Sequence, residues 1–368
     1  MVFSTTEMEI NMGPQHPSTH GVLRLKLKLD GERVVDTWPV IGYLHRGIEK
    51  LAESKEFIKI TPYTDRMDYV CGMSANLAYL GAVEKLCGAK VPEKAEYIRV
   101  IMVELNRIAS HLLWLGTHAL DLGAMSIFLY CFREREMILD LFEAYCGARL
   151  TYNAFRISGV PADLPPGWTD ECQAFLELFR QRHVEYQQIL TANRIWLKRT
   201  KDVGILNAKQ CLALSVTGPV LRAAGVARDL RKDEPYSIYD QVDFDVPVND
   251  GCDTYARYVV RMEEMLQSAR IVEQCLVKMP AEGPLMGMKG RKMRPRKGEE
   301  IYFAIEGPRG EQGVYLISDG TDRPYRCKFR NSTFANMQAL APMCKGVLVA
   351  DVVAVIGTLD VVLGDSDR

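Results

Sequence analysis

Residues 97–131 read YIRVIMVELNRIASHLLWLGTHALDLGAMSIFLYC, and this segment sets the architecture of the chain. Apolar side chains fall on nearly every face at helical spacing, as in a helix buried on most sides. Against that background Glu104, His111 and His118 stand seven positions apart. Seven residues are nearly two turns, so the three form one stripe that drifts by about 20° per heptad. Asp121, three residues beyond His118, joins it. Desolvating a charge is costly, so ionisable groups on such a helix must be hydrogen-bonded, paired or functional. Two readings are open: a buried polar network, or the lining of a functional cavity.

On either side the pattern stays helical, from about 45 to 280. Residues 66–87 read as a helix whose Ala75, Ala78, Gly81 and Ala82 allow a close neighbour. Residues 133–147 continue as a charged amphipathic helix, and 169–199 and 253–278 read as two long helices able to pair antiparallel. The Pro/Gly-rich stretch 159–167 is a loop.

The flanks differ. Residues 6–37 alternate around Asp30-Gly31, as in antiparallel strands with one wet face. Between the first two runs lies Gly13-Pro14-Gln15-His16-Pro17-Ser18-Thr19-His20-Gly21, an irregular loop. After 280, residues 289–297 carry six basic residues in nine positions. That run reads as an exposed loop, either a solvated connection or a contact with an acidic partner surface. Strands follow at 301–306 and 313–319 around Gly-Pro-Arg-Gly, then an apolar helix near 345–358. The fold class is α+β: a central long-helix bundle flanked by N-terminal and C-terminal β elements. The regions are 1–44, 45–280 and 281–368, integrated as one domain.

Composition excludes several classes. The 368 residues hold 46 basic and 47 acidic side chains, a net charge of −1, so no basic surplus points to nucleic acid. Mean hydropathy is −0.09, and no run of about 18 uncharged apolar residues would span a membrane. The start, MVFSTTEMEINMGPQHP, lacks the basic and apolar regions of a secretory signal. Ten cysteines include no CxxC pair, so neither a disulfide framework nor a conventional Fe–S site is expected, and most read as small apolar core residues.

Two polar segments stand out. His16 and His20 lie four apart, but the prolines forbid the helical zinc version and no Glu completes a hydrolase motif. The plainer functional role is a proton donor. Residues 61–69, TPYTDRMDY, crowd two tyrosines, two acids and an arginine ahead of the small-residue helix. They read either as a helix start with an ion pair, or as a ligand site in which Tyr69 donates to a carbonyl.

GPQHPSTHGVLR (13–24), GYLHRGIEKL (42–51), PYTDRMDYV (62–70), THALDLGAM (117–125), YDQVDFDVPV (239–248), SDGTDRPYRCK (318–328) and GDSDR (364–368) resemble the quinone-site subunit of respiratory complex I, the NuoD or 49 kDa type, with its archaeal and chloroplast relatives. The resemblance runs nearly end to end. That family is similar in fold to the large subunit of nickel–iron hydrogenases, which holds its metals with two CxxC pairs. In the matching positions this chain reads Cys71-Gly72-Met73-Ser74 and Asp360-Val361-Val362-Leu363-Gly364-Asp365. At most one of four soft ligands remains, too few for a nickel–iron centre. No metal is expected, and the resemblance implies that the ancestral cavity holds a quinone headgroup instead.

Carried over residue by residue, His20 resembles the histidine on one quinone carbonyl and Tyr69 the tyrosine on the other. Asp121 resembles the acid that orients that histidine. Arg46 and His118 resemble the arginine and histidine beside the terminal 4Fe–4S cluster of an adjacent subunit, and Asp360 and Val362 resemble C-terminal positions near the quinone pocket. No cofactor would be held by this chain alone; quinone is the substrate. The partners implied are a cluster-bearing small subunit (NuoB type), NuoC-type and NuoI-type ferredoxin-like subunits and a NuoH-type membrane subunit, with the assembly peripheral on the cytoplasmic face of the inner membrane. A membrane-associated hydrogenase large subunit, which nickel analysis would reveal, and a non-catalytic scaffold are the alternatives.

Overall fold

The computed structural model describes residues 7–14, 21–288 and 293–368. His16, His20 and the first part of the basic run, 289–292, lie outside the described residues. The chain folds as α+β. An N-terminal antiparallel sheet has the order β1 (Met8–Met12), β2 (Arg24–Asp30), β3 (Arg33–Val40). Ile10 and Met12 of β1 pair with Leu27 and Leu25, and Leu27 with Thr37 of β3. The alternation has its expected effect: Leu25 and Leu27 are buried, while Lys26 is exposed.

The helical body comprises α1 (Phe57–Thr64), α2 (Gly72–Cys87), α3 (Glu93–Asp121), α4 (Met125–Cys146), α5 (Trp168–Leu190) and α6 (Thr254–Lys278), with short helical pieces in the connections. At 1.5 Å per residue α3 is roughly 44 Å long and forms the axis of the molecule. Most of its residues are buried. α4 and α6 are its main helical neighbours. The small residues of α2 admit a sheet rather than a helix. A methyl group at Gly81 would come within 2.1 Å of the Phe303 ring.

That second sheet is antiparallel, in the order β4 (Glu300–Gly307), β5 (Gly310–Ser318), β6 (Pro324–Arg330). Beyond it α7 (Val349–Leu359) and a short α8 (Leu363–Asp367) return to the core. α7 packs on α3, and α8 on the short helix Ser332–Asn336.

Several boundaries differ from the sequence reading. The helix expected over 66–87 begins at Gly72, because 65–71 form turns that bury Asp65 and Asp68. The long segment 97–131 is two helices. The chain turns at 122–124, where Gly123 takes φ 92°, a left-handed value that suits glycine. The helix expected over 169–199 breaks after Leu190, and Asn193 caps the next piece by accepting from the Ile195 and Trp196 amides. α6 packs chiefly on α3 and less on α5. The apolar helix expected near 345–358 starts at Val349. Strand β6 and the short helices between 332 and 344 are additions that the periodicity does not announce.

Candidate functional site

The site begins at the turn between α1 and α2. Asp65, Asp68 and Cys71 are buried there and Tyr69 is half-buried. Asp65 Oδ2 accepts from the Asn153 amide at 2.8 Å. Burial, the largest influence, pushes its carboxyl up to about 7, against the pull of that bond and of Arg66. Asp68 Oδ1 accepts from the Cys71 amide at 3.1 Å, and Oδ2 from Gln312 Nε2 at 3.1 Å. Cys71 Sγ lies 3.1 Å from Ser74 Oγ, in the position resembling the lost thiol pair, and burial pushes the thiol up to about 12. No cluster of three His, Cys, Asp or Glu stands ready for a metal among the described residues.

The wall facing this turn is the C-terminal segment. Asp360 takes φ 54°, an uncommon conformation for a residue with a side chain, and Val362 is buried and extended. Gly364 lies directly on the tyrosine: a methyl group there would come within 3.0 Å of Tyr69 Cε1 and 2.5 Å of the Met67 carbonyl. Asp365 fixes the segment, accepting from the Thr333 amide at 2.8 Å while its carbonyl accepts from Asn331 Nδ2 at 2.7 Å. Asp367 accepts from the Gly42 and Leu44 amides at 2.9 and 2.8 Å. Burial raises the Tyr69 phenol above its usual value, Arg309 opposing this and Asp68 adding to it. The phenol therefore holds its proton and is able to donate a hydrogen bond.

Arg309 joins the turn to the wall. It is 1% exposed and sits between Asp68 and Asp360. On the other side of the turn, exposed Arg46 donates from Nη2 to the Arg66 carbonyl at 2.7 Å, three residues before Tyr69. Arg66, also exposed, donates from Nη1 to the Pro62 carbonyl at 2.6 Å, so two guanidiniums lie beside the turn.

The stripe on α3 divides. Glu104 and His111 belong to a buried network within electrostatic reach of the site, Arg107 acting on Cys71 and Asp360 on His111. Glu104 accepts from Arg107 and Arg231 at 3.1 Å, and from Ser268 Oγ and Tyr239 Oη at 2.6 Å. Burial works to raise its carboxyl, but the guanidiniums and hydroxyls overcome this and hold it at about 2. His111 Nε2 lies 3.0 Å from Glu264, and burial lowers its basicity against that carboxylate's pull. His118 instead packs between Trp114 and Trp196, both ring centroids 5.4 Å away, and against Gly357 of α7. Asp121 ends α3 and is half-buried.

A family model described as "Respiratory-chain NADH dehydrogenase, 49 Kd subunit" matches residues 121–299 and 288–368 of this chain. An NADH-quinone oxidoreductase subunit from Solibacter usitatus is 56% identical, covering 99% of this chain and 98% of its own. The chain belongs to this 49 kDa subunit family. The corresponding NADH-quinone oxidoreductase subunits from Geobacillus kaustophilus and Bacillus anthracis are 52% and 50% identical over 99% or more of both chains. The model described as "Nickel-dependent hydrogenase" matches residues 46–126, the portion that holds Arg46, the Tyr69 turn and α3.

Within this 49 kDa-family chain, the structure brings Arg46, Tyr69, Asp360 and Val362 around one turn and its facing wall. His118 reaches the same wall through Gly357, three residues before Asp360. His20 lies outside the described residues. Its neighbour Gly21 is placed, and a methyl group there would be 3.7 Å from Leu363 Cδ1, beside Gly364. Sequence reasoning missed Arg309, because an arginine in a Gly-Pro-Arg-Gly turn reads as a solvated hairpin tip. Asp68 stood in the quoted segment 61–69 as one of its two acids, but nothing in the sequence named its partner 241 residues away.

Proposed function

We propose that this chain forms, with a cluster-bearing partner subunit of the NuoB type, the quinone-reducing site of a complex I-like enzyme. The observation that supports it most is the Tyr69 turn against the C-terminal wall. A proton-holding phenol lies on a glycine surface, Val362 is apolar, and Gly21 stands beside Leu363. A neutral aromatic headgroup requires such apolar walls with few polar contacts. The relatives, named as NADH-quinone oxidoreductase subunits, supply quinone as the substrate.

In this reading the Tyr69 phenol donates to one quinone oxygen and His20 to the other. Reduction takes two electrons and two protons. As electrons arrive the oxygens become more basic, so these donors stabilise the reduced ligand more than the oxidised one. Asp121 holds the His20 imidazole in one tautomer and favours its charged form. Arg46 and His118 lie toward the partner's 4Fe–4S cluster, which supplies the electrons. Asp360 and Val362 form the wall behind the headgroup. NuoC-type and NuoI-type subunits complete the arm, and a NuoH-type membrane subunit admits the lipid-borne quinone. No described helix is long and apolar enough to cross a membrane. In this reading the assembly is attached through such a subunit at the cytoplasmic face of the inner membrane. Quinone reduction here would couple to proton translocation by the whole complex.

The test uses the purified assembly. Y69F and H20A each lower quinone reduction by about 100-fold or more, the scale of a lost proton donor, while the upstream donor still reduces the clusters. Wild-type quinone turnover in both variants would contradict the assignment.

A further inference from the structure

Asp68 and Asp360 carry buried carboxylates on opposite sides of the proposed site. Asp68 immediately precedes Tyr69. Asp360 opens the segment whose Gly364 touches the tyrosine ring. Each would be costly to bury alone. One side chain joins them. Arg309 Nη1 donates to Asp68 Oδ1 and Oδ2 at 3.1 and 3.0 Å. Its Nε donates to the Asp360 carbonyl at 2.9 Å and stands 3.2 Å from Asp360 Oδ2, and Nη2 reaches Oδ1 at 3.3 Å. Arg309 is itself anchored, since its carbonyl accepts from Asn336 Nδ2 at 2.9 Å. The left-handed backbone of Asp360 is a conformation that persists only where the surroundings over-determine it, and this bridge does so.

We infer that Arg309 is the positioning residue of the quinone site: its planar fork ties Asp68 to Asp360 and so sets the separation between the Tyr69 phenol and the C-terminal wall. The inference rests on the quinone-site reading above and deepens it. A guanidinium suits the task because it presents rigid donors in several directions at once, whereas an ammonium is a point charge that serves one carboxylate well. The cluster also contains Asp365, fully buried and within electrostatic reach of Asp68, so the cation balances more acid than its direct partners alone.

R309K keeps the charge and thereby the fold, and changes the geometry. In the intact complex it lowers kcat for quinone reduction by about 10- to 100-fold, the scale expected of a donor displaced by about an ångström. KM for quinone stays within about twofold, and the clusters remain reducible. D360N, which keeps the side-chain shape and weakens one arm of the tie, falls in the same direction. A residue acting only through Tyr69 adds nothing once the phenol is gone, so Y69F/R309K is no slower than Y69F alone. Wild-type kcat in both R309K and D360N, or losses that multiply in the double variant while Y69F is itself impaired, would overturn the role of Arg309 and leave the quinone site standing. Wild-type turnover in Y69F would overturn the role of Arg309 together with that of Tyr69, and wild-type turnover in both Y69F and H20A would bring down the quinone site as well.

Discussion

Asp65 and Asp365 give the turn and its facing wall a protonation state that depends on pH near neutrality. Burial raises both carboxyls, Asp65 to about 7 and Asp365 to about 6. In each case the folded chain binds a proton more tightly than the unfolded chain does. The stability this contributes is complete below the ordinary carboxylate value and is lost as pH rises through the folded value. Between pH 5 and 7 the wild-type assembly therefore melts at progressively lower temperature through these groups. D65N removes the larger shift and flattens the dependence over that window. Equal pH slopes for wild type and D65N would show that Asp65 is ionised throughout. At this scale the sequence was informative where a residue's chemistry contradicted its surroundings: Tyr69 and Asp68 stood in a crowded polar segment before a helix of small residues. It was silent on Arg309, whose burial depends on how the β4–β5 turn enters the core and not on its neighbours in the chain.

α3 shows what periodicity reveals about an element and what it leaves open. The seven-residue spacing of Glu104, His111 and His118 indicated one stripe, and all three are buried. The spacing could not say that Glu104 and His111 would meet Arg107, Arg231 and Glu264, while His118 would meet two tryptophans. Arg231, Glu264 and Trp196 lie far along the chain, and only the packed fold brings them to this helix. The break at 122–124 rested on Gly123 inside an apolar run, and strand β6 was hidden because its alternation, PYRCKFR, is short and highly charged. Glu104 is the anchor of this element's network. Removing it leaves Arg107 and Arg231 as buried cations without their shared carboxylate, so E104A destabilises the chain by about 3–5 kcal/mol. The low value of its carboxyl adds a sign: its contribution is present above the ordinary glutamate range and lost as pH falls toward 2. The yield and urea midpoint of assembled E104A complex measure this, and a midpoint equal to wild type would show that the network is dispensable.

Across the whole molecule the two ends of the chain share one wall. The N-terminal hairpin is extended by the segment before α7, with the Val34 amide donating to Val347 at 2.9 Å and Gly346 donating back at 2.8 Å. Asp367 closes the other side on Gly42 and Leu44. The site is therefore built from segments near 21, 69, 309 and 364, which no local pattern connects. The long motifs that resemble the 49 kDa family pointed to the segments near 20, 69 and 364 but not to 309, whereas composition and periodicity alone reached only an α+β helical body. The proposed function depends on Tyr69 and His20 gripping opposite oxygens of one ring. A structure of the intact complex with a short-chain quinone bound would show whether they do. One headgroup is expected, with the Tyr69 hydroxyl and a His20 nitrogen each about 2.7–3.0 Å from its oxygens, and Gly364 beneath the phenol. A headgroup bound elsewhere, or the two side chains far apart with no cleft between them, would refute the proposed grip.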